Sequence, residues 1–220
     1  MLGVFEYIFP NRCVNCTRII HQKTMPLCLS CYANLSFTHW ELNNQNPTYT
    51  QLRTYTPIYK ATSILGYRHG NVAQKLIMAN KYYNQKKIGI FIAELAYPVV
   101  SNEKFDVILC IPSHKKTLRQ RGYNQVESFS RRLAELLQVD FNPKILCRVK
   151  RTDSQTHRNF KERHESLNNA FRVSDEIQKF ERVLLLDDVL TTGATLRSCC
   201  QAILDQKTVE LSVLTMAKVV

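Results

Sequence analysis

The stretch VLLLDDVLTTGATL, from Val183 to Leu196, joins an apolar run to two adjacent carboxylates, Asp187 and Asp188. The apolar run predicts a buried β-strand that ends near the acids. Ligands of open α/β sheets bind outside the carboxyl ends of the strands. Two carboxylates that lie together at such an end repel each other and resist burial, so they need water, a cation or hydroxyl donors.

The turn after the acids, Thr-Thr-Gly-Ala-Thr at 191–195, leads into a predicted helix. The first amides of a helix are unpaired and its dipole is positive there, which favours a phosphate. Gly193 allows the backbone to approach a ligand closely, and the threonine hydroxyls add donors. A ribose 5-phosphate, with vicinal hydroxyls and a phosphate, would satisfy both the acids and the turn.

This stretch has two other interpretations. An Asp pair at a strand end can simply cap the next helix, but the combination of apolar run, acids and turn favours a ligand site. An apolar strand that ends in Asp also resembles the Walker B element of an ATPase. The six glycines of the chain form neither GxxxxGK[ST] nor GxGxxG, which excludes the usual nucleotide-binding loops.

Strand-like and helical patterns alternate from residue 105 onward, which predicts an α/β fold with a parallel sheet. The predicted strands are 105–112, 144–149, 182–188 and 210–220, and the predicted helices are 124–138 and 194–206. Before them, 61–67 is typical of a strand, and 71–80 and 88–100 have helical spacing. The passage at 39–56 is predicted to be a linker, and the charged segment 151–168 a functional loop.

The composition is that of a globular protein with a basic surface. The chain has 220 residues and a formal charge of +12, with the excess of Lys and Arg confined to residues 1–172. Such a charge favours a polyanionic partner, either nucleic acid or an anionic membrane. We expect a cytoplasmic protein, because the sequence shows neither a basic leader nor an apolar run of about 18 residues.

Four cysteines near the amino terminus have the spacing Cys13-x2-Cys16-x11-Cys28-x2-Cys31. Two such Cys-x-x-Cys pairs predict a structural Zn²⁺ site with four thiolates. Disulfides are disfavoured in a reducing cytoplasm, and the spacing is less typical of an iron–sulfur cluster. The other four cysteines are predicted to be small buried apolar residues, namely Cys110, Cys147, Cys199 and Cys200.

VLLLDDVLTTGATL resembles the phosphoribosyl-pyrophosphate (PRPP) loop of type I phosphoribosyltransferases. The stretches IPSHKKTLRQRGYNQ (111–125) and RTDSQTHRNFKERHESLNNAF (151–171), with the four-cysteine module, narrow the resemblance to the ComF family of competence proteins. The resemblance implies a type I phosphoribosyltransferase fold, a parallel sheet flanked by helices, with a small amino-terminal zinc-finger module. It implies a zinc module at 1–40, a linker and hood layer at 41–104, and a phosphoribosyltransferase-like domain at 105–220.

The resemblance also implies roles for individual residues. Asp187 and Asp188 would hold the ribose hydroxyls, directly or through Mg²⁺. The 5-phosphate would be bound by Thr191, Thr192, Gly193, Ala194 and Thr195, and the pyrophosphate-facing loop would contain Pro112, Ser113, His114 and Lys115. The cations expected to contact phosphate or nucleic acid are Lys115, Lys116, Arg119, Arg121, Arg151, Arg158 and Lys161.

The implied function is that of a late competence protein in natural transformation. It would bind single-stranded DNA as an adaptor for a helicase-like ATPase, at the inner face of the membrane through partners. The alternative is an active phosphoribosyltransferase that transfers ribose 5-phosphate from PRPP to an unspecified acceptor, and a third candidate is a scaffold that uses neither ligand. The hood offers Tyr67, Arg68, His69, Lys81 and Tyr82 without singling out a catalytic base, so the sequence supports ligand binding better than turnover.

Overall fold

A computed structural model describes residues 10–22, 24–82, 86–113, 118–119, 122–149 and 170–220. Its central sheet has five parallel strands in the order β1-β7-β6-β2-β3. These strands are β1 (Lys60–Tyr67), β2 (Val107–Cys110), β3 (Asp140–Phe141), β6 (Arg182–Leu190) and β7 (Glu210–Val219). Two further strands, β4 (Leu146–Arg148) and β5 (Phe171–Val173), form a separate antiparallel ribbon. The predicted parallel α/β sheet is confirmed.

Helices cover both faces of this sheet. They are α1 (Leu29–Ala33), α2 (Pro47–Arg53), α3 (Val72–Tyr82), α4 (Lys86–Val100), α5 (Glu127–Leu137) and α6 (Ala194–Gln206), with a 3₁₀ helix at Asp175–Lys179. The passage predicted to be a linker contains α2. Asn46 caps this helix by accepting hydrogen bonds from the amides of Thr48 and Tyr49. Leu52, a residue of the same helix, is buried.

The two faces of β6 explain why its sequence is apolar from Val183 to Leu186. Successive side chains of a strand point to opposite faces. Leu184 and Leu186 are fully buried in the core that contains α3, α4 and α5, whereas Val183 and Leu185 are fully buried against α6. Because both of its faces are covered here, β6 has no polar residue between Val183 and Leu186.

The centre of the sheet contains a topological switch point. From β2 the chain continues through α5 to β3, and from β6 it continues through α6 to β7, so the two crossovers run in opposite directions and on opposite faces. The amide of Ile111 donates to the carbonyl of Leu186 at 3.0 Å, after which β6 continues beside β7 through Leu190. In such sheets the ligand crevice opens where the strand order reverses. We call the space between the carboxyl ends of β2 and β6 the switch-point crevice.

One predicted strand has a different place from the one expected. The stretch 144–149 contains β4, but β4 pairs antiparallel with β5 rather than joining the parallel sheet. The prediction that Cys147 is buried is also wrong, because Cys147 is exposed while its neighbour Leu146 is buried. A two-stranded ribbon covers one face only, so alternate side chains face solvent.

The four-cysteine module packs against the sheet and α4. Cys13, Leu27 and Cys31 are buried in the same core as α4, and the rings of Tyr32 and Phe91 meet edge to face with centroids 6.1 Å apart. The division into 1–40, 41–104 and 105–220 stays a prediction. Among the described residues, no helix is long and apolar enough to cross a bilayer.

Candidate functional site

Asp187 and Asp188 stand on β6 just beyond its last pairing with β2, at the edge of the switch-point crevice. Asp188 is 8% exposed and contacts Lys81 of α3 and residue 125, while Asp187 is half-buried. The two carboxyl groups lie close enough for each to act on the other. Both acids therefore lie together at the edge of the crevice.

Within the described part of the chain, the carboxylate of Asp188 contacts three groups. Its Oδ2 lies 3.0 Å from Lys81 Nζ and accepts a hydrogen bond from Gln125 Nε2, also at 3.0 Å. Its Oδ1 accepts a hydrogen bond of 2.6 Å from the amide of Val189. These contacts fix the carboxylate and offset part of the cost of burying its charge.

Asp187 has a less favourable environment. Its Oδ1 accepts a hydrogen bond of 2.8 Å from the amide of Asp188. Burial, and then the charge of Asp188, nevertheless raise the pKa of Asp187 well above its usual value. A cation or a pair of hydroxyl donors beside these acids would favour the ionised form. Carboxylate oxygens are ligands that Mg²⁺ prefers, so this donor set fits the expected ion.

The turn at 191–195 lies beside the acids and is accessible from solvent. Thr191, Thr192, Ala194 and Thr195 are exposed, and Gly193 is the N-cap of α6 with a φ of +76°. Glycine adopts this left-handed conformation without strain and has no side chain that could cap the helix. The first amides of α6 therefore remain available to an anion, apart from a long 3.4 Å contact between the Ala194 amide and Thr192 Oγ1.

Side chains from elsewhere in the fold hold the carbonyls of this turn. Gln51 Nε2 donates to the carbonyl of Thr191 at 2.6 Å, and Arg197 Nη1 donates to the carbonyl of Thr192 at 2.7 Å. The turn is thus fixed from α2 and from α6. Such fixing pre-organises the helix entrance for a phosphate, since less ordering remains to be done when the ligand binds.

The predicted pyrophosphate loop begins on the β2 side of the crevice. Pro112 and Ser113 are half-buried there. Ser113 Oγ donates to Asn124 Oδ1 at 3.0 Å, and Asn124 Nδ2 donates to the carbonyl of Ile111 at 3.0 Å. Arg119 is exposed, and the other expected phosphate or nucleic-acid contacts lie outside the described residues, namely His114, Lys115, Lys116, Arg121, Arg151, Arg158 and Lys161.

Three residues of the crevice were missed or left unassigned by sequence reasoning. Asn124 and Gln125 belong to the stretch that carried the family resemblance, and in the structure they join the end of β2 to Asp188. Lys81 was one of five hood residues and contacts Asp188. The identity of these residues was visible in the sequence, but their partners were not.

The four amino-terminal cysteines come together as their spacing predicts. Their sulfur atoms all lie within 4.8 Å of one another, and Cys16 Sγ lies 3.7 Å from Cys28 Sγ. Zinc–sulfur bonds of about 2.3 Å give a tetrahedron with edges of about 3.8 Å, which is close to this separation. Asn15 Nδ2 donates to Cys31 Sγ at 3.1 Å and so supports one ligand from outside the cluster. The cluster could hold a metal ion.

The local electrostatics of this cluster favour one thiolate. Burial opposes ionisation of Cys13, but backbone hydrogen bonds from Cys16, Cys28 and Asn15 prevail and lower the pKa of Cys13 to about 6. For Cys31 the hydrogen bond from Asn15 is outweighed by burial and by the neighbouring thiols, which raise the pKa of Cys31 to about 12. A bound cation would lower both values, because only thiolates are metal ligands.

The parallel sheet, the opposed crossovers, and the acids beside an uncapped helix define a protein of the type I phosphoribosyltransferase class. The family described as "Phosphoribosyl transferase domain" matches residues 78–218, more than half of the chain, and the chain belongs to that family.

Two relatives named for competence and DNA utilization agree with the resemblance to the ComF family, which is thereby confirmed. The chain is 28% identical over 221 residues to competence protein F of Haemophilus influenzae, with 89% of this chain and 90% of that protein covered. It is 32% identical over 99 residues to DNA utilization protein YhgH of Salmonella typhi, with 45% of this chain and 43% of that protein covered. Among solved structures, the chain is similar to a glutamine PRPP amidotransferase from B. subtilis in complex with ADP and GMP. The match covers 64% of this chain and 30% of that protein, with 15% identity and a TM-score of 0.44.

Proposed function

We propose that this chain is a late competence protein that binds PRPP with Mg²⁺ in the switch-point crevice and takes part in DNA uptake. One observation carries the ligand assignment: the two carboxylates and the uncapped start of α6 border the same crevice, where the strand order reverses. The names of the relatives, competence protein F and DNA utilization protein, support the biological role.

Each part of the crevice matches one part of the ligand. Asp187 and Asp188 accept hydrogen bonds from the ribose hydroxyls, and the turn at 191–195 binds the 5-phosphate through its amides and hydroxyls. The loop that begins at Ser113 faces the pyrophosphate. Mg²⁺, when bound, neutralises the charge of the pyrophosphate.

Calorimetry with Mg²⁺ and PRPP tests this assignment. The double variant Asp187→Ala with Asp188→Ala is expected to abolish binding, because the ribose hydroxyls would lose their acceptors and the metal would lose its carboxylate ligands. Asp205→Ala is the matched control, since Asp205 is an exposed acid on α6 away from the crevice. Unchanged affinity in the double variant would refute the crevice as the PRPP site.

The DNA part of the proposal rests on charge. With a net charge of +12, the chain attracts the backbone of single-stranded DNA, and it would present that DNA to a helicase-like ATPase at the inner face of the membrane. For single strands, log-log plots of affinity against salt have a slope of about −0.7 per phosphate contacted. Binding that does not change between low and high salt would remove this argument.

The four-cysteine cluster is proposed to hold a structural Zn²⁺. The cluster offers four sulfur ligands, so a tetrahedral ion would have no open position for catalysis. The metal would instead stabilise the amino-terminal module, whose buried residues include Cys13, Leu27, Cys31 and Leu35. Zinc content measured on the purified protein tests this proposal.

Transfer of ribose 5-phosphate to an acceptor is the second candidate function. It is favoured by the presence of both halves of the crevice, the acids on β6 and the loop after β2. Pyrophosphate release measured across a panel of nucleobases and amines separates the two candidates. Release with any acceptor would establish an enzyme, and its absence across the panel would favour the adaptor.

A further inference from the structure

Lys81 lies in the last turn of α3 and forms an ion pair with Asp188, with 3.0 Å between Nζ and Oδ2. The side chains of the two partners are 24% and 11% exposed. A partly buried pair interacts more strongly than one on an open surface, because fewer water molecules screen it. Lys81 is therefore a defined component of the crevice wall.

The position of Lys81 is fixed through its neighbour, Asn80, which is 1% exposed. The carbonyl of Asn80 accepts a hydrogen bond of 2.6 Å from the hydroxyl of Tyr123. The side-chain amide of Asn80 donates to the carbonyl of Gln125 at 3.0 Å. The end of α3 is thus tied to residues 123–125, and this tie holds Lys81 beside Asp188.

Gln125 links the oxygen that Lys81 contacts to the predicted pyrophosphate loop. Gln125 Nε2 donates to the same Oδ2 of Asp188 that Lys81 contacts. Gln125 Oε1 accepts from Ser113 Oγ at 3.5 Å, at the start of the predicted pyrophosphate loop. Lys81 therefore contacts the oxygen of Asp188 that Gln125 links to Ser113, and the pyrophosphate of PRPP would be placed beside the loop that starts at Ser113.

We propose that Lys81 is a specificity-determining residue which makes the crevice prefer a pentose phosphate that carries pyrophosphate over one that lacks it. This inference rests on the proposed binding of PRPP. Pyrophosphate brings anionic oxygens next to Asp188, and a cation between them converts repulsion into attraction. Ribose 5-phosphate places its phosphate at the start of α6 and only hydroxyls beside the acids, so it gains little from Lys81.

Calorimetric titration of PRPP and of ribose 5-phosphate, both with Mg²⁺, compares the two ligands in each variant. Lys81→Met is expected to weaken PRPP binding by about tenfold or more, whereas ribose 5-phosphate affinity changes by less than about threefold. Lys81→Arg keeps the cation and should retain most of the affinity for PRPP. Lys75→Met is the matched control, because Lys75 is an exposed lysine on the same helix.

The outcomes separate this inference from the proposed function. PRPP affinity that is unchanged in Lys81→Met overturns the role of Lys81 and leaves the crevice assignment standing. Equal losses for both ligands also overturn it, since they would show that Lys81 only positions Asp188. Wild-type protein that binds neither ligand overturns both proposals. Melting curves without ligand verify folding. If Lys81→Met does not fold, the affinities for PRPP and for ribose 5-phosphate are compared in Lys81→Gln instead, and the same outcomes support or overturn the role of Lys81.

Discussion

The side chain of Gln125 connects the two walls of the crevice. Its amide donates to Asp188 Oδ2 at 3.0 Å, and its oxygen lies 3.5 Å from Ser113 Oγ, which shares its one hydrogen with Asn124 Oδ1. One wall belongs to the loop after β2 and the other to β6. A single neutral side chain therefore couples the loop expected to face pyrophosphate to the acid expected to hold ribose.

Replacing Gln125 with Leu should weaken Mg²⁺–PRPP binding. The change keeps the approximate volume but removes both hydrogen bonds, so Asp188 and Ser113 lose their shared partner. Hydrogen bonds to charged groups contribute about 1.5–3 kcal/mol, and we expect roughly a tenfold loss of affinity by calorimetry. Gln201→Leu is the control, because the amide of Gln201 also meets a carboxylate, that of Asp205 at 2.6 Å, but on α6 outside the crevice. Equal affinities of the two variants would contradict the coupling.

Gly193→Ala should destabilise the fold and also impair phosphate binding. A Cβ at this position would lie 3.1 Å from Leu52 Cδ2 and 3.2 Å from Leu190 Cδ1, in a residue with φ of +76°. The left-handed conformation costs about 1–2 kcal/mol, and the crowding adds roughly 1–3 kcal/mol. At about 2–4 °C per kcal/mol, thermal unfolding should show a clear drop in melting temperature.

Gly70→Ala isolates the conformational part of that cost. Gly70 has a φ of +81°, but nothing lies within 4 Å of a Cβ placed there. Its alanine variant should therefore lose less stability than Gly193→Ala and keep its affinity for PRPP. Equal losses of stability would show that packing against α2 does not constrain the turn.

The parts of the fold that sequence patterns predicted well are those buried on two sides. The bounds of α6 are those predicted, and β6 is recognisable because both of its faces are covered and its residues are apolar from Val183 to Leu186. β7 was also predicted, although Ser212 and Thr215 interrupt its apolar residues. The strand β4 was found, but its partner was not, because three residues in a row do not specify whether the pairing is parallel or antiparallel. The two residues of β3 are too few to give a periodic signal.

In the site, too, local sequence predicted the contacts between neighbouring residues but not those between distant ones. The acids and the Thr-Gly turn are adjacent in sequence, so their proximity in space follows from a strand that leads into a helix. The contact between Lys81 and Asp188 joins residues far apart in sequence and depends on the tie between Asn80 and Tyr123. Such a contact is set by how α3 packs, which no local pattern specifies.

Asp187→Asn should stabilise the ligand-free protein at neutral pH. Because burial and Asp188 raise the pKa of Asp187 in the folded state, the folded protein binds the proton more tightly than the unfolded chain does. The contribution of Asp187 to the stability of the wild type is then most favourable below the unfolded pKa of about 3.9, and it is lost as pH rises toward the folded pKa. Melting temperatures should show a gain for the variant at pH 7 that shrinks toward pH 4. The same variant should bind PRPP more weakly, and a gain independent of pH would contradict the assigned cause.

Cys13→Ser should release the metal from the four-cysteine cluster and lower the melting temperature. Cys13 is 2% exposed and shares a core with α4, and its pKa of about 6 provides a thiolate at neutral pH. Zinc content is expected to fall in this variant, and a strong chelator should lower the melting temperature of the wild type but not that of the variant. Cys147→Ser is the control, since Cys147 is exposed on β4 outside the cluster. Because protons compete for the thiolates, metal should also be lost as pH falls. A wild-type protein that is free of metal, and as stable as the same protein supplied with zinc, would refute the structural role of the ion.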